Sequence, residues 1–129
     1  HRFGLFDMVL IKDTHVRAAG GVRAALQSVR NSLGPESRLE IEIEVQSREE
    51  FIEAVAERPN RIMLDNMDPA DMRICVGHVR SHALNVELEA SGRVSEETIA
   101  EVARTGVDYI SVGSITHSAP ALDIHMVML

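Results

Sequence analysis

Apolar and polar positions along the chain switch between two periods. Five short stretches alternate, or run apolar, over the length of a strand: MVLIKD (8–13), LEIEIEV (39–45), RIMLDN (61–66), NVELEA (85–90) and YISVG (109–113), with LDIHMVML (122–129) as a candidate sixth. Between them the apolar spacing becomes helical. Val22, Ala25, Leu26, Val29 and Leu33 form one face, closed by Gly34 and Pro35. Ser47 with Glu50 three residues on reads as a capping box opening a second helix, with Phe51, Ile52 and Val55 inward and Pro59 as its stop. Asp68-Pro69 supplies N-cap and first turn of a third, with Met72, Cys75, Val76 and Val79 inward. Ser95 caps a fourth, packed by Ile99, Val102 and Ala103 and ended by Gly106. The order β-α-β-α-β-α-β-α-β implies parallel strands joined by crossovers.

Strand parity then separates an open, doubly wound sheet from a barrel. In LEIEIEV, Leu39, Ile41, Ile43 and Val45 share one face while Glu40, Glu42 and Glu44 share the other. A sheet covered by helices on both faces would bury those glutamates, yet strands buried in that way read as continuous apolar runs. A barrel removes the conflict: its outer face packs on helices and its inner face holds polar groups near the open end. NVELEA repeats the pattern, and the same parity puts Lys12 and Asp65 inward. Lys12, Glu44, Asp65 and Glu89 are therefore expected at the carboxyl ends of four consecutive strands, where barrels of this kind place their active sites. A complete barrel takes about 250 residues, so 129 residues with five or six strands make a partial one. The remaining strands are expected ahead of His1 or from another chain.

Composition narrows the chemistry. Twenty acidic against thirteen basic side chains give a formal charge of -7 with no basic run, which disfavours nucleic acid and anionic lipid as partners. No apolar stretch approaches the ~18 residues of a membrane helix, and HRFGLFDMVL lacks the features of a signal peptide, so the expected location is the cytoplasm. The lone Cys75 lies in an apolar stripe and reads as a buried structural thiol. His15, His78, His82 and His125 have no metal-ligand spacing. Glu40, Glu42 and Glu87 read as solvated or paired charges. A lysine with several carboxylates at one barrel mouth suits a metal-assisted reaction on an anion, with carboxylates binding Mg²⁺ and lysine meeting substrate charge. SGRVSEET (91–98) and SVGSITHS (111–118) each put small residues directly after a strand, where backbone N–H groups can cradle phosphate.

HRFGLFDMVLIKDTH, LEIEIEVQSREE, IMLDNM, VELEASGRV and TGVDYISVGSITHSAPALDI, in this order over nearly the whole chain, resemble nicotinate-nucleotide pyrophosphorylase, the quinolinate phosphoribosyltransferase family. The resemblance implies an α/β fold of type II phosphoribosyltransferase kind, with residues 1–129 forming the C-terminal part of the barrel domain. A mixed α/β N-terminal domain and the first barrel strands would lie upstream. It implies that quinolinate and phosphoribosyl diphosphate give nicotinate mononucleotide, pyrophosphate and carbon dioxide with Mg²⁺, in a homodimer or larger homo-oligomer whose active site a neighbouring subunit completes. Carried over by motif, His1, Arg2 and Lys12 meet the quinolinate carboxylates, and Glu44 and Asp65 lie near the ribose and Mg²⁺-pyrophosphate, with Glu89 beside them. Ser91, Gly92, Arg93, Val112, Gly113, Ser114 and His117 align with the segments around the 5-phosphate. Thr14, Gln46 and Arg93 depart from the family's usual residues. Arg93 matters most, because glycine there would permit a positive φ.

Three other readings make different predictions. A paralogue associated with molybdenum transport shares these motifs. A metal-dependent enolase-like barrel would use Lys12 as base and Glu44, Asp65 and Glu89 as ligands, binding metal without phosphoribosyl diphosphate. An inactive fragment serving assembly would show no turnover even with the upstream domain restored.

Overall fold

The computed structural model describes residues 4, 6–117 and 121–128. Five parallel strands lie side by side in chain order: β1 (Met8–Ile11), β2 (Glu40–Val45), β3 (Arg61–Asp65), β4 (Glu87–Ser91) and β5 (Tyr109–Ile110). The register runs Val9 to Ile41, Ile43 to Ile62, Leu64 to Ala90 and Ala90 to Ile110. Helices α1 (Asp13–Ala19), α2 (Val22–Leu33), α3 (Arg48–Glu57), α4 (Pro69–Ser81) and α5 (Ile99–Ala103) connect them. Sequential order is the arrangement of a barrel segment; a doubly wound sheet reverses direction part-way.

The core confirms the choice of face. Ile41, Ile43, Val45, Ile62, Leu64, Leu88 and Ala90 are buried together with Val22, Leu26, Phe51, Ala54, Met72, Cys75, Val79 and Val102 of the helices. Their opposite-parity neighbours, including Glu42, Glu44, Asp65 and Glu89, belong to the other face. Burying these aliphatic side chains at about 1.5–3 kcal/mol each is the main force holding helices to sheet.

Local chemistry sets the helix ends largely as read. The Ser47 side chain accepts from the Glu50 N–H, and the Glu50 carboxylate accepts from the Gln46 N–H at 2.8 Å, one residue before the partner a standard capping box would use. Asp68 and Pro69 open α4. Five expectations are corrected. Ser95 is not the N-cap of α5, which is Thr98, after a turn in which the Thr98 N–H donates to the Ser95 carbonyl. Ile52, Ile99 and Ala103 are exposed, because these outer helices touch the barrel along a narrower stripe than the periodicity suggests. Strand β5 is two residues long, and Gly113–Ile115 form a 3₁₀ turn. The chain makes an unforeseen helix, α1, held by a Lys12 N–H to His15 Nδ1 bond at 2.9 Å and an Asp13–Arg17 ion pair at 2.7 Å. Residues 121–128 make no strand: alternation yields a strand only against a neighbour, and Leu122, Ile124, Met126 and Met128 remain exposed.

Candidate functional site

A cavity of about 700 Å³ opens on the inner face of the sheet, bounded by the carboxyl ends of the strands and the 3₁₀ turn. Of the residues singled out from the sequence, Lys12, Glu44, Asp65, Glu89, Ser91, Val112 and Gly113 line it. Lys12 follows the last residue of β1 and is the N-cap of α1, so its position is fixed by both elements. Glu44 has its pKa raised, first by burial, then by the like charges of Asp65 and Asp13, with Lys12 pulling it back down. The site therefore concentrates negative charge beside one exposed lysine, a distribution suited to a ligand carrying a cation with it.

Asp65 is held by two amides. Gln46 Nε2 and Asn66 Nδ2 both donate to its Oδ2, at 3.1 and 2.7 Å. Sequence reasoning passed over both as functional residues; their positions one residue beyond β2 and β3 were the available signal.

Deeper along the inner face lies a second layer of charge. Arg61 is only 8% exposed, and it contacts Glu87 Oε2 through Nε (3.1 Å) and a terminal nitrogen (2.8 Å). It also approaches Glu89 Oε2 at 3.5 Å and sits 3.9 Å above the Tyr109 ring. Burial works against its charge, but Glu87, Glu42 and Tyr109 outweigh that and raise its pKa. Glu89 also accepts from the Ser111 hydroxyl at 2.5 Å. It lines the cavity, yet at 1% exposure it is engaged by the protein. Glu87 is paired as expected, Glu40 is exposed, and Glu42 is fully buried within electrostatic reach of Arg61.

The two loops behave differently. Gly92 (φ +86°) and Arg93 (φ +51°) are both left-handed, so the backbone that glycine would favour is kept with an arginine in place. The Arg93 side chain turns to Asn66, donating from Nε to Oδ1 at 3.1 Å and from a terminal nitrogen to the backbone oxygen at 3.3 Å. In the second loop the His117 N–H donates to the Gly113 carbonyl, and a Cβ on Gly113 would lie 2.6 Å from His117 Nε2. Gly92, Arg93, Ser114 and His117 stand outside the cavity lining. His1 and Arg2 lie outside the described residues. Cys75 is buried, with its thiol pushed up to about 11 by burial, as its structural reading requires.

Among the described residues no group of three or more His, Cys, Asp or Glu is placed to hold a metal ion. Glu89, a ligand in the enolase-like reading, is instead engaged by Arg61 and Ser111. The sequence profile described as quinolinate phosphoribosyl transferase, C-terminal domain, matches residues 1–127. The chain belongs to this family.

Relatives agree. The chain is 42% identical over 140 residues to quinolinate phosphoribosyltransferase (decarboxylating) 1b of Nicotiana tabacum, covering 98% of this chain and 40% of that protein. It is 46% identical over 124 residues to the carboxylating nicotinate-nucleotide pyrophosphorylase of Mycobacterium leprae, covering 96% of this chain and 43% of that one. The solved nicotinate-nucleotide pyrophosphorylase from Francisella tularensis superimposes with a TM-score of 0.78 at 40% identity, over 90% of this chain and 39% of that one. The chain thus spans about 40% of the length of the curated relatives it matches. Among the described residues no helix is long and apolar enough to cross a membrane.

Proposed function

We propose that the protein carrying this chain is a quinolinate phosphoribosyltransferase of NAD biosynthesis, forming nicotinate mononucleotide, carbon dioxide and pyrophosphate. The observation that supports this best is one cavity, in a chain of this family, bringing Lys12 together with Glu44 and Asp65. Lys12, with His1 and Arg2, meets the quinolinate carboxylates, where charge-assisted bonds give affinity and orientation. Glu44 and Asp65 face the ribose and the diphosphate. Ser91, Gly92, Val112, Gly113, Ser114 and His117 belong to the 5-phosphate segments, which act mainly through backbone amides. Arg93 lies in the first of these.

Glu44 and Asp65 in one cavity suit Mg²⁺, which is bound through one or two carboxylates together with substrate phosphates. Glu44 and Asp65 would hold it, directly or through water or the pyrophosphate, and it would neutralise charge on the leaving diphosphate.

In this reading the ring nitrogen attacks the anomeric carbon as pyrophosphate leaves, and the developing positive charge on the ribose is stabilised by Glu44 and Asp65. Positioning of the two substrates supplies most of the acceleration. The alkylated ring is cationic, so it takes up the electron pair of the carbon–carboxylate bond as carbon dioxide departs, and a proton then occupies the vacated carbon. No covalent enzyme intermediate is needed. The remaining length of the protein supplies the N-terminal domain and first barrel strands, a second copy completes the site, and the compartment is the cytoplasm.

The test is Mg²⁺-dependent formation of nicotinate mononucleotide and release of carbon dioxide by the protein with its preceding segment restored. Lys12→Ala and Glu44→Ala are expected to abolish both. A folded, Mg²⁺-supplied protein without turnover would remove quinolinate as the substrate and favour the molybdenum-associated paralogue or an inactive barrel.

A further inference from the structure

Resting on that reading, we infer that Arg93 is a positioning residue for Asp65 rather than a phosphate ligand. It acts through Asn66. A guanidinium only donates hydrogen bonds, so the Arg93 contact at 3.1 Å fixes the acceptor end of the Asn66 amide toward itself. The opposite end is then a donor, and it meets Asp65 Oδ2 at 2.7 Å. An Asn66 amide turned the other way would present an oxygen to a carboxylate. Gln46 Nε2 adds a second donor to the same oxygen at 3.1 Å. Among the described residues Oδ1 has no protein donor, and it is left for the diphosphate and its cation.

The backbone is shaped to the same end. Asn66 (φ +54°), Gly92 (φ +86°) and Arg93 (φ +51°) are all left-handed, a conformation that non-glycine residues keep only where their surroundings hold them. The Asn66 N–H donates to the Ser91 carbonyl at 2.9 Å, joining the ends of β3 and β4. Gly92 closes over the amide so tightly that a Cβ there would lie 2.5 Å from Asn66 Cγ and Oδ1. Meanwhile two guanidinium nitrogens of Arg93 are bonded to Asn66, and the residue is not part of the cavity lining.

A double-mutant cycle tests this in the protein with its preceding segment restored, using glycine at both sites so that the left-handed backbone is retained. Calorimetric titration with magnesium diphosphate reads the Asp65 side, and titration with quinolinate reads the rest of the site. Arg93→Gly and Asn66→Gly are each expected to weaken magnesium diphosphate binding about tenfold, with quinolinate affinity unchanged. The double variant is expected within about twofold of Asn66→Gly, since both changes cut one chain of contacts. Arg93→Lys keeps the charge but not the planar fork, and is expected to bind no better than Arg93→Gly.

Losses that multiply in the double variant, wild-type binding by Arg93→Lys, or a parallel loss of quinolinate affinity would each overturn the relay. Turnover is measured alongside. Wild type that binds magnesium diphosphate but forms no nicotinate mononucleotide defeats the transferase reading alone, and the binding cycle still decides the relay. Wild type that binds no magnesium diphosphate overturns both.

Discussion

Replacing Arg61 by leucine removes a guanidinium that lies against the buried inner-face carboxylates, and its cost can be worked contact by contact. Glu89 is 1% exposed and Glu42 0%, so both carboxylates would remain in a place from which water is largely excluded. Breaking a buried ion pair from one side costs about 3–5 kcal/mol, because the remaining charge keeps its desolvation penalty. The contact to Glu87, which is 48% exposed, adds at most about 1 kcal/mol after screening. Stacking on Tyr109, an exposed residue, adds little more. Leucine returns part of this by packing, leaving a net loss of about 4 kcal/mol, a large share of the ~5–15 kcal/mol typical of a folded domain. Urea titration followed by circular dichroism measures it, and the melting temperature should fall by roughly 15 °C. Adding Glu89→Gln to Arg61→Leu should restore about half of the loss, since the amide keeps an acceptor for Ser111 without a buried charge. A loss below about 1 kcal/mol, or no recovery from Glu89→Gln or Glu42→Gln, would refute the claim that Arg61 exists to neutralise the interior.

Glu44→Gln should cut turnover about 10²–10³-fold while slightly stabilising the fold. With its folded-state pKa raised, Glu44 contributes stability fully present below its ordinary, unfolded-state value and lost as the pH rises through the raised one. Melts should therefore favour the glutamine variant by on the order of 1 °C at pH 7 and converge near pH 4, and a pH-independent difference would contradict the assigned cause. Cys75, buried and with its thiol at about 11, should stay unreactive to a disulfide reagent at pH 8 until the protein is unfolded. Gly92→Ala should cost more than about 1 kcal/mol in thermal melts, from the left-handed φ and the collision with Asn66 together. It should also weaken magnesium diphosphate binding, because the displaced amide is the one that orients Asp65.

What the chain's pattern discloses, and what it hides, follows from the range over which each feature is encoded. Alternation is local, so LEIEIEV, RIMLDN and NVELEA declared their faces, and parity brought Lys12, Glu44 and Asp65 to one cavity. Helix α1 buries only Val16, and one anchored residue leaves no period to read. The 122–129 stretch has the period of a strand, but pairing is a property of two segments. The Arg93–Asn66 contact spans 27 residues and depends on two strand ends meeting, so no local pattern carries it. Parity assigned the face, while the partners of the inward charges are set by the register. The register aligns Glu42 with Arg61 and Arg61 with Glu87, so in this lower row one guanidinium lies between two carboxylates. Because a barrel interior tolerates charge only when it is paired, the inward residues divide by depth. Glu42, Arg61 and Glu87 lie one row below, while Glu44 and Asp65 lie nearer the mouth, where Asp65 and Asp13 raise the Glu44 pKa and Lys12 lowers it. Carboxylates arranged in this way beside the exposed Lys12 suit a ligand that brings a cation with it.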